Sequence, residues 1–529
     1  MPVVKQGQRH ISPWGMMLCS VSAILGSGWL FSSFYSAQLA GAGAIVAWIL
    51  GGVLILCVAF SFAETSTLLP VGGGSAYLPF LTHGNMVSLI LGSITWLTFA
   101  TLQSVEVQAT LQYLANLWPV LLQPETTSLS TTGMGLAVAL MLLFSSLNIY
   151  SLRWVIRLNN ILTYWKILVP VMIAVALMFT HFSVTNFHYQ GHFLSNGWHG
   201  VFAAMSMGGI VFAFNGFKQV VELAGEAHNP KRTIPFALAG SIFICLAIYL
   251  LLQVAFIGAL SPTELMAGWS HLSLASTAGP LAVVVAPVGV LALVLLYSNA
   301  VVAPAGSALM YVASASRTLH AMSGNRQMPK AFAELSARGM PVKAIVINTV
   351  LGLVFFFPLP GWKAMVEFIT SLVAFSYSLG PVCVLVLRYQ LPEERRVVRL
   401  PFVWVWSYVG LYICVLMSYW TGWQTISKLF LFLVFCFVLY FLYRVVSERA
   451  RSLTLEIRSS LWMWVYFIGV SLVSYLGTFG GGHGKLGFGP DALVLAVLTA
   501  LILYLAVRFR RTDEQAKTLF RAIGKELAS

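Results

Sequence analysis

Three charged residues lie deep inside long apolar stretches of this chain: Glu106, Lys166 and Lys218. A carboxyl or amino group held away from water pairs, lines a wet path or exchanges a proton, and such residues mark ion routes through membranes. Two clusters of small residues stand in similar stretches. One is Gly26-Ser27-Gly28, in the middle of the first apolar stretch; the other runs from Met207-Gly208-Gly209 to Asn215-Gly216-Phe217, with Lys218 next. Glycine costs roughly 1 kcal/mol against alanine in a helix interior, so each cluster predicts a break. A broken helix offers free N–H groups on one side and free C=O groups on the other, which suit a carboxylate and a cation respectively. Taken alone, the first triplet could equally be a packing notch for a neighbouring helix. Two breaks in corresponding spans support each other.

The depth of the three charges sharpens the reading. Glu106 sits about two-thirds of the way across its segment, in a polar seam with Thr101, Gln103, Ser104, Gln108 and Gln112. Its short side chain cannot reach an interface from there, so it bonds a neighbouring helix or lines water. Lys166 lies about two and a half turns beyond Arg157, a long reach for snorkelling, so its ammonium must meet carbonyl oxygens or water. Lys218 needs a partner, either Glu106, Glu222 or an acidic ligand.

The elements that must position these groups are membrane helices. The 529 residues are 59% hydrophobic and 9% charged, with mean hydropathy +0.85. The apolar blocks are long enough to cross a hydrocarbon core of roughly 30 Å. Fourteen spans are expected, at about 14–39, 43–68, 86–117, 134–150, 158–180, 199–222, 234–260, 282–315, 342–359, 363–388, 402–421, 427–446, 460–478 and 491–508. The first is retained as a span, since no small-residue cleavage site follows it. The net charge of +14 is a topology signal, not a sign of nucleic-acid binding. With both termini in the cytoplasm, 25 of the 30 Lys and Arg residues fall on that side and three (Lys363, Lys428, Lys485) outside, as the positive-inside rule requires. The six cysteines sit singly in apolar spans and read as core residues, neither disulfides nor metal ligands, and no cofactor is implied.

The first and sixth spans are the broken ones. Five is odd, so spans one to five and six to ten enter the bilayer in opposite directions, the arrangement of inverted repeats with a site between them. The expected fold is an all-α polytopic membrane protein of two inverted five-helix repeats plus four further C-terminal spans. Its parts are a cytoplasmic N-terminus (1–13), the first repeat (14–180), the second (181–388), spans eleven and twelve (389–446), two extra spans (447–508) and a cytoplasmic tail (509–529).

Four stretches in order carry a family resemblance: Gly26-Ser27-Gly28-Trp29-Leu30-Phe31; Ala63-Glu64 through Pro70, with Gly73-Gly74 and Tyr77; Phe214-Asn215-Gly216-Phe217 with Gly225-Glu226 and Asn229 to Pro235; and Arg317 through Pro329 with Pro341. The chain resembles amino-acid permeases of the amino acid–polyamine–organocation superfamily. Its Trp29 variant looks most like a bacterial branch that includes an aspartate–proton symporter. The resemblance implies a substrate α-carboxylate on the N–H groups around Ser27 and Gly28, beside Gly26. It implies an α-ammonium on carbonyls near Ile24, Phe212 and Asn215, beside Gly216, with Phe212 as an aromatic lid. It implies Lys166 in the place of a coupling sodium ion. Glu64, near a membrane boundary, is open to a structural or a coupling role. The sequence departs from the family at Lys218, a position often acidic there, and in the last two spans.

The expected function is therefore import of an amino acid, an acidic one such as aspartate or glutamate, by proton symport at the cell membrane. Lys166 and Glu106 are the proton-coupling candidates and Lys218 a substrate contact. An exchanger, a carrier of neutral or cationic amino acids, and a non-transporting sensor share the same pocket. A membrane-embedded enzyme is disfavoured: the sequence has no His-Glu-x-x-His and no aspartate in the first thirteen spans. A channel is disfavoured because the breaks make an occludable pocket without a repeated pore loop.

Overall fold

The first apolar stretch folds as two half-helices. Ser12 starts it, its hydroxyl accepting a hydrogen bond from Gly15 N at 3.1 Å, and Pro13 takes a position where a missing N–H costs nothing. Helix Pro13–Ile24 stops at Leu25, and helix Gly28–Ala40 resumes after Ser27. Close approach explains these glycines as much as flexibility does. A Cβ on Gly28 would meet the Cβ of Ala213 at 3.0 Å, and one on Gly26 would meet the carboxyl carbon of Glu106 at 2.8 Å. Bare backbone lets span one press onto spans three and six at the point where it breaks.

Span six is interrupted over a longer stretch. Helix Gly197–Ser206 ends, Gly209 turns left-handed at φ +86°, and three short pieces follow: Ile210–Ala213, a 3-10 turn at Asn215–Phe217, and Lys218–Glu222. The two breaks lie against each other, since Gly216 packs directly on the backbone of Ala23 and Ile24.

The computed structural model describes residues 11–446 and 453–528, apart from 151, 181, 273 and 275–278. Lys5, Arg9, Arg449 and Arg451 of the charge count, residues 1–10 of the expected N-terminal tail and the side chain of Cys436 lie outside the described residues. Among the described residues the secondary structure is helical, with two isolated bridges. One of these, Ile11 with Ala227, ties the start of span one to the end of span six.

Among the described residues, eleven helices are long and apolar enough to cross a membrane. One of them, Gly28–Leu68, combines the second half of span one with span two (Ala44–Leu68), and Val342–Val354 and Trp423–Phe435 are shorter apolar helices. With those counted, the helical segments correspond to the fourteen expected stretches. Span eight (Val290–Gly324) lies along span three (Asn85–Leu114), and span seven (Pro230–Ala259) along spans one and two.

The last two spans, Leu453–Leu476 and Pro490–Arg508, pack on each other and against span eleven (Val403–Trp420). There the hydroxyls of Tyr408 and Tyr412 donate to Ala496 O at 3.0 Å and Ala492 O at 2.9 Å. The Pro- and Gly-rich stretch after span two, Pro70 to Gly74, continues into helix Gly74–His83. The C-terminal tail is also a helix, Asp513–Ala528, which buries Ala516 and Ile523 against Gly74–His83 and Leu379–Gln390. Its apolar residues recur at helical spacing on one face, a pattern too polar overall to register as a span.

One end of the bundle is locked by ion pairs. The buried Glu64 carboxylate receives Arg388 Nε at 2.6 Å and Nη2 at 2.9 Å, Arg396 Nε at 3.2 Å and Leu400 N at 2.8 Å. Glu226 receives Arg317 at 2.6 Å. Glu64 is thus fully engaged in joining span two to the end of span ten and the loop beyond it.

Candidate functional site

Breaking span one leaves three carbonyls at the end of Pro13–Ile24 and an N–H at Ser27 to be satisfied. A buried polar backbone group without a partner is costly, so each must find one. The structure gives every one of them a side chain from a different part of the bundle. Ser22 O accepts from Lys166 Nζ at 2.6 Å and from Ser307 Oγ at 2.6 Å. Ala23 O accepts from the Tyr311 hydroxyl at 2.6 Å, and Ile24 O from the Tyr249 hydroxyl at 2.7 Å. Ser27 N donates to Glu106 Oε2 at 2.7 Å.

Lys166 also donates to the Ser22 hydroxyl at 2.8 Å and the Ser307 hydroxyl at 3.0 Å. One ammonium therefore joins spans one, five and eight, a turn before the break. It approaches because Gly306 offers no Cβ, which would lie 3.1 Å from Nζ. Its contacts are a carbonyl and two hydroxyls, as its depth in the span required.

A ring of aromatic side chains closes one side. Trp362, at the start of helix Gly361–Tyr377, donates its indole N–H to the Ser27 hydroxyl at 2.8 Å. Its ring stacks on Phe31 at 4.6 Å and Tyr35 at 5.7 Å, and Phe212 meets it edge-on at 5.6 Å. On the other side, the Tyr377 hydroxyl donates to Asn215 Oδ1 at 3.3 Å, and Tyr249 stacks on Trp48 at 4.5 Å.

Lys218 takes a different position from either intraprotein partner considered for it. Its ammonium bonds the hydroxyls of Ser376 at 3.1 Å and Thr95 at 3.3 Å, and lies over the rings of Phe62 at 5.7 Å and Phe99 at 5.9 Å. Glu222 instead accepts from Thr318 at 3.1 Å, and Glu106 is committed to Ser27. Among the described residues, neither Lys166 nor Lys218 makes an ion pair. Cation–π contacts and hydroxyls can hold a desolvated ammonium, yet leave it able to receive an anion.

The structure therefore brings Ile24, Gly26, Ser27, Gly28, Glu106, Phe212, Asn215 and Gly216 to one place. Lys166 stands behind the carbonyl end of the break, and Lys218 lies past the end of the 3-10 turn. Sequence reasoning missed Trp362, Tyr249, Tyr311 and Ser307. Each is an ordinary residue for an apolar helix, and only the packing of spans seven, eight and ten onto span one reveals its role.

Comparison with known proteins agrees with this architecture. Residues 11–442 match the amino acid permease family. The chain is 33% identical to the glutamate/serine transporter AimA of Bacillus subtilis, over 95% of this chain and 94% of that one. It is 31% identical to the aspartate-proton symporter of the same organism, over 95% and 97%. Among solved structures, Mhp1, a nucleobase-cation-symport-1 family transporter, superposes with a TM-score of 0.53 at 12% identity, covering 97% of this chain and 95% of that one. That likeness is one of fold; it is the matched family and the two relatives that are transporters, not enzymes. This protein belongs to the amino acid permease family.

Proposed function

We propose that this protein imports an acidic amino acid across the cell membrane by symport with a proton, with both termini in the cytoplasm. The substrate's α-carboxylate takes the N–H groups around Ser27 and Gly28, and its α-ammonium the carbonyl side of the breaks near Ile24, Phe212 and Asn215. Phe212 and Trp362 close over it, and a second carboxylate neutralises Lys218. Lys166 and Glu106 are the groups that take and release the proton. The two repeats, 14–180 and 181–388, move against each other around this site.

The observation that carries the reading is the Lys166 contact to Ser22 O at 2.6 Å. A charge-assisted bond is roughly twice as strong as a neutral one, so removing the proton loosens the half-helix that forms one wall of the site. Protonation and the geometry of the break are then linked. The names of the two relatives support the rest, one a glutamate/serine transporter and the other an aspartate-proton symporter.

Purified protein in liposomes with an alkaline interior should accumulate labelled aspartate. Unlabelled glutamate should compete, while leucine and arginine should not. Lys218→Met should lower the preference for aspartate over neutral amino acids about tenfold, the equivalent of roughly 1.4 kcal/mol of lost ion pairing. Better competition by arginine or leucine than by glutamate would sink the acidic-substrate reading. Binding without uptake would mark a sensor, and uptake only against internal amino acid an exchanger.

A further inference from the structure

The Ser27 N–H that suits a substrate carboxylate already holds a carboxylate, and it belongs to the protein. Glu106 Oε2 lies 2.7 Å from Ser27 N, and Gly26 is bare where the same carboxyl group presses against the break. Both residues are buried, so water cannot stand in for either partner. The Ser27 hydroxyl is occupied as well, accepting the Trp362 indole N–H at 2.8 Å. A bond from an N–H to an ionised carboxylate is stronger than one to a protonated carboxyl, so the hold of Glu106 on the break depends on its charge.

We propose that Glu106 is a built-in competitor for the substrate's α-carboxylate. Ionised, it occupies the Ser27 cradle; protonated, it yields the cradle to the substrate, so each substrate bound draws one proton onto Glu106. No bond other than the carboxyl O–H forms or breaks. The proton comes from the side on which substrate enters and leaves when Glu106 retakes Ser27 N on the other.

The surroundings suit this role. The groups facing Glu106 are Lys166 from span five, Tyr249 from span seven and Tyr311 from span eight. Both tyrosines are neutral donors committed to span-one carbonyls, and Lys166 is committed to Ser22. On the first helix of span ten, Gly361–Tyr377, the charged groups are Lys363 and Glu367, which face each other at 3.9 Å, and Arg388 on its second helix pairs with Glu64. Among the described residues Glu106 therefore has no ion-pair partner that would fix it in one charge state, and two carboxylates cannot share one N–H cradle in a dry site.

The inference rests on the amino-acid transporter reading, and the test separates the two. Calorimetry in buffers of different ionisation enthalpy counts protons taken up when aspartate binds to the wild-type protein and to Glu106→Gln. The wild type should take up about one proton per aspartate, with Kd rising about tenfold per pH unit on the alkaline side. Glu106→Gln should take up none from this group, and its Kd should lose that slope. In the wild type alone, aspartate α-amide should bind at least tenfold more weakly and without proton uptake, because it brings no α-carboxylate to displace Glu106. The same proton uptake in Glu106→Gln, or proton uptake with the amide equal to that with aspartate, overturns the proposal and leaves transport intact. Absence of amino-acid binding to the wild type overturns the transporter reading and this one together.

Discussion

The carboxylates at one end of the bundle and the charges at its centre are all buried, but they are partnered in opposite ways. Glu64 is surrounded by two guanidiniums and a backbone N–H, and Glu226 by Arg317. Lys166, Lys218 and Glu106 bond carbonyls, hydroxyls and one N–H. A buried ion pair fixes both charges, since neutralising either partner, by protonating the carboxylate or deprotonating the base, strands the charge of the other. A charge held by neutral groups can change state at lower cost, because its partners are satisfied either way. Under the proposed function, the end of the bundle stays as it is and the centre switches.

The sharpest way to break that comparison is at Lys166. In Lys166→Ala the Ser22 carbonyl keeps Ser307 as a donor, so the fold and the binding of amino acid should survive. Accumulation driven by a pH gradient should fall at least a hundredfold, equivalent to about 2.7 kcal/mol of lost coupling. Uptake assayed with and without the gradient, beside binding to the same preparation, checks this. Gradient-driven accumulation at the wild-type level would show that Lys166 is a brace like Arg388.

The converse experiment is at Glu64. Glu64→Ala leaves Arg388 and Arg396 facing each other without their carboxylate, and breaking a buried pair from one side costs about 3–5 kcal/mol. The apparent melting temperature in detergent should drop by several degrees. The pH profile of transport per folded molecule should stay where it is. A shifted profile would make Glu64 part of the coupling machinery and erase the contrast.

Much of the centre was legible in the sequence because its signals are rare. A glycine pair in mid-span, or a lysine two and a half turns into an apolar helix, is expensive enough that it seldom occurs without a reason. The repeat symmetry followed from the same two breaks. The partners of those groups could not be read, because tyrosine and serine occur throughout such helices and cost little there. Tyr249 and Tyr311 are two of 19 tyrosines, and only packing selects them. The position of Glu106 shows the other limit. Its depth in span three was readable, but not that it would reach across to the bond that a substrate carboxylate suits. Likewise Lys218 looked like half of an ion pair, and the structure gives it two hydroxyls and two rings. Charge can be counted in a sequence; the choice among neutral partners is made by the fold.

The smallest expected effect lies beside the centre, at Trp362. Its indole N–H bonds Ser27 while its ring stacks on Phe31 and Tyr35, so polar and apolar contacts can be separated. Trp362→Phe keeps an aromatic ring against Phe31 and removes the hydrogen bond, a net loss of about 1 kcal/mol. If the indole helps hold the aromatic side of the site closed, bound aspartate should leave about fivefold faster, with the pH dependence of binding unchanged. Trp362→Ala removes the ring as well and should speed release much further, since truncating a buried Trp costs about 3–5 kcal/mol. Stopped-flow or filter measurement of labelled aspartate release from purified protein reads both. Release at the wild-type rate in Trp362→Phe and Trp362→Ala alike would mean that Trp362 only fills space beside Ser27, and that closure of the site depends on the charged centre alone.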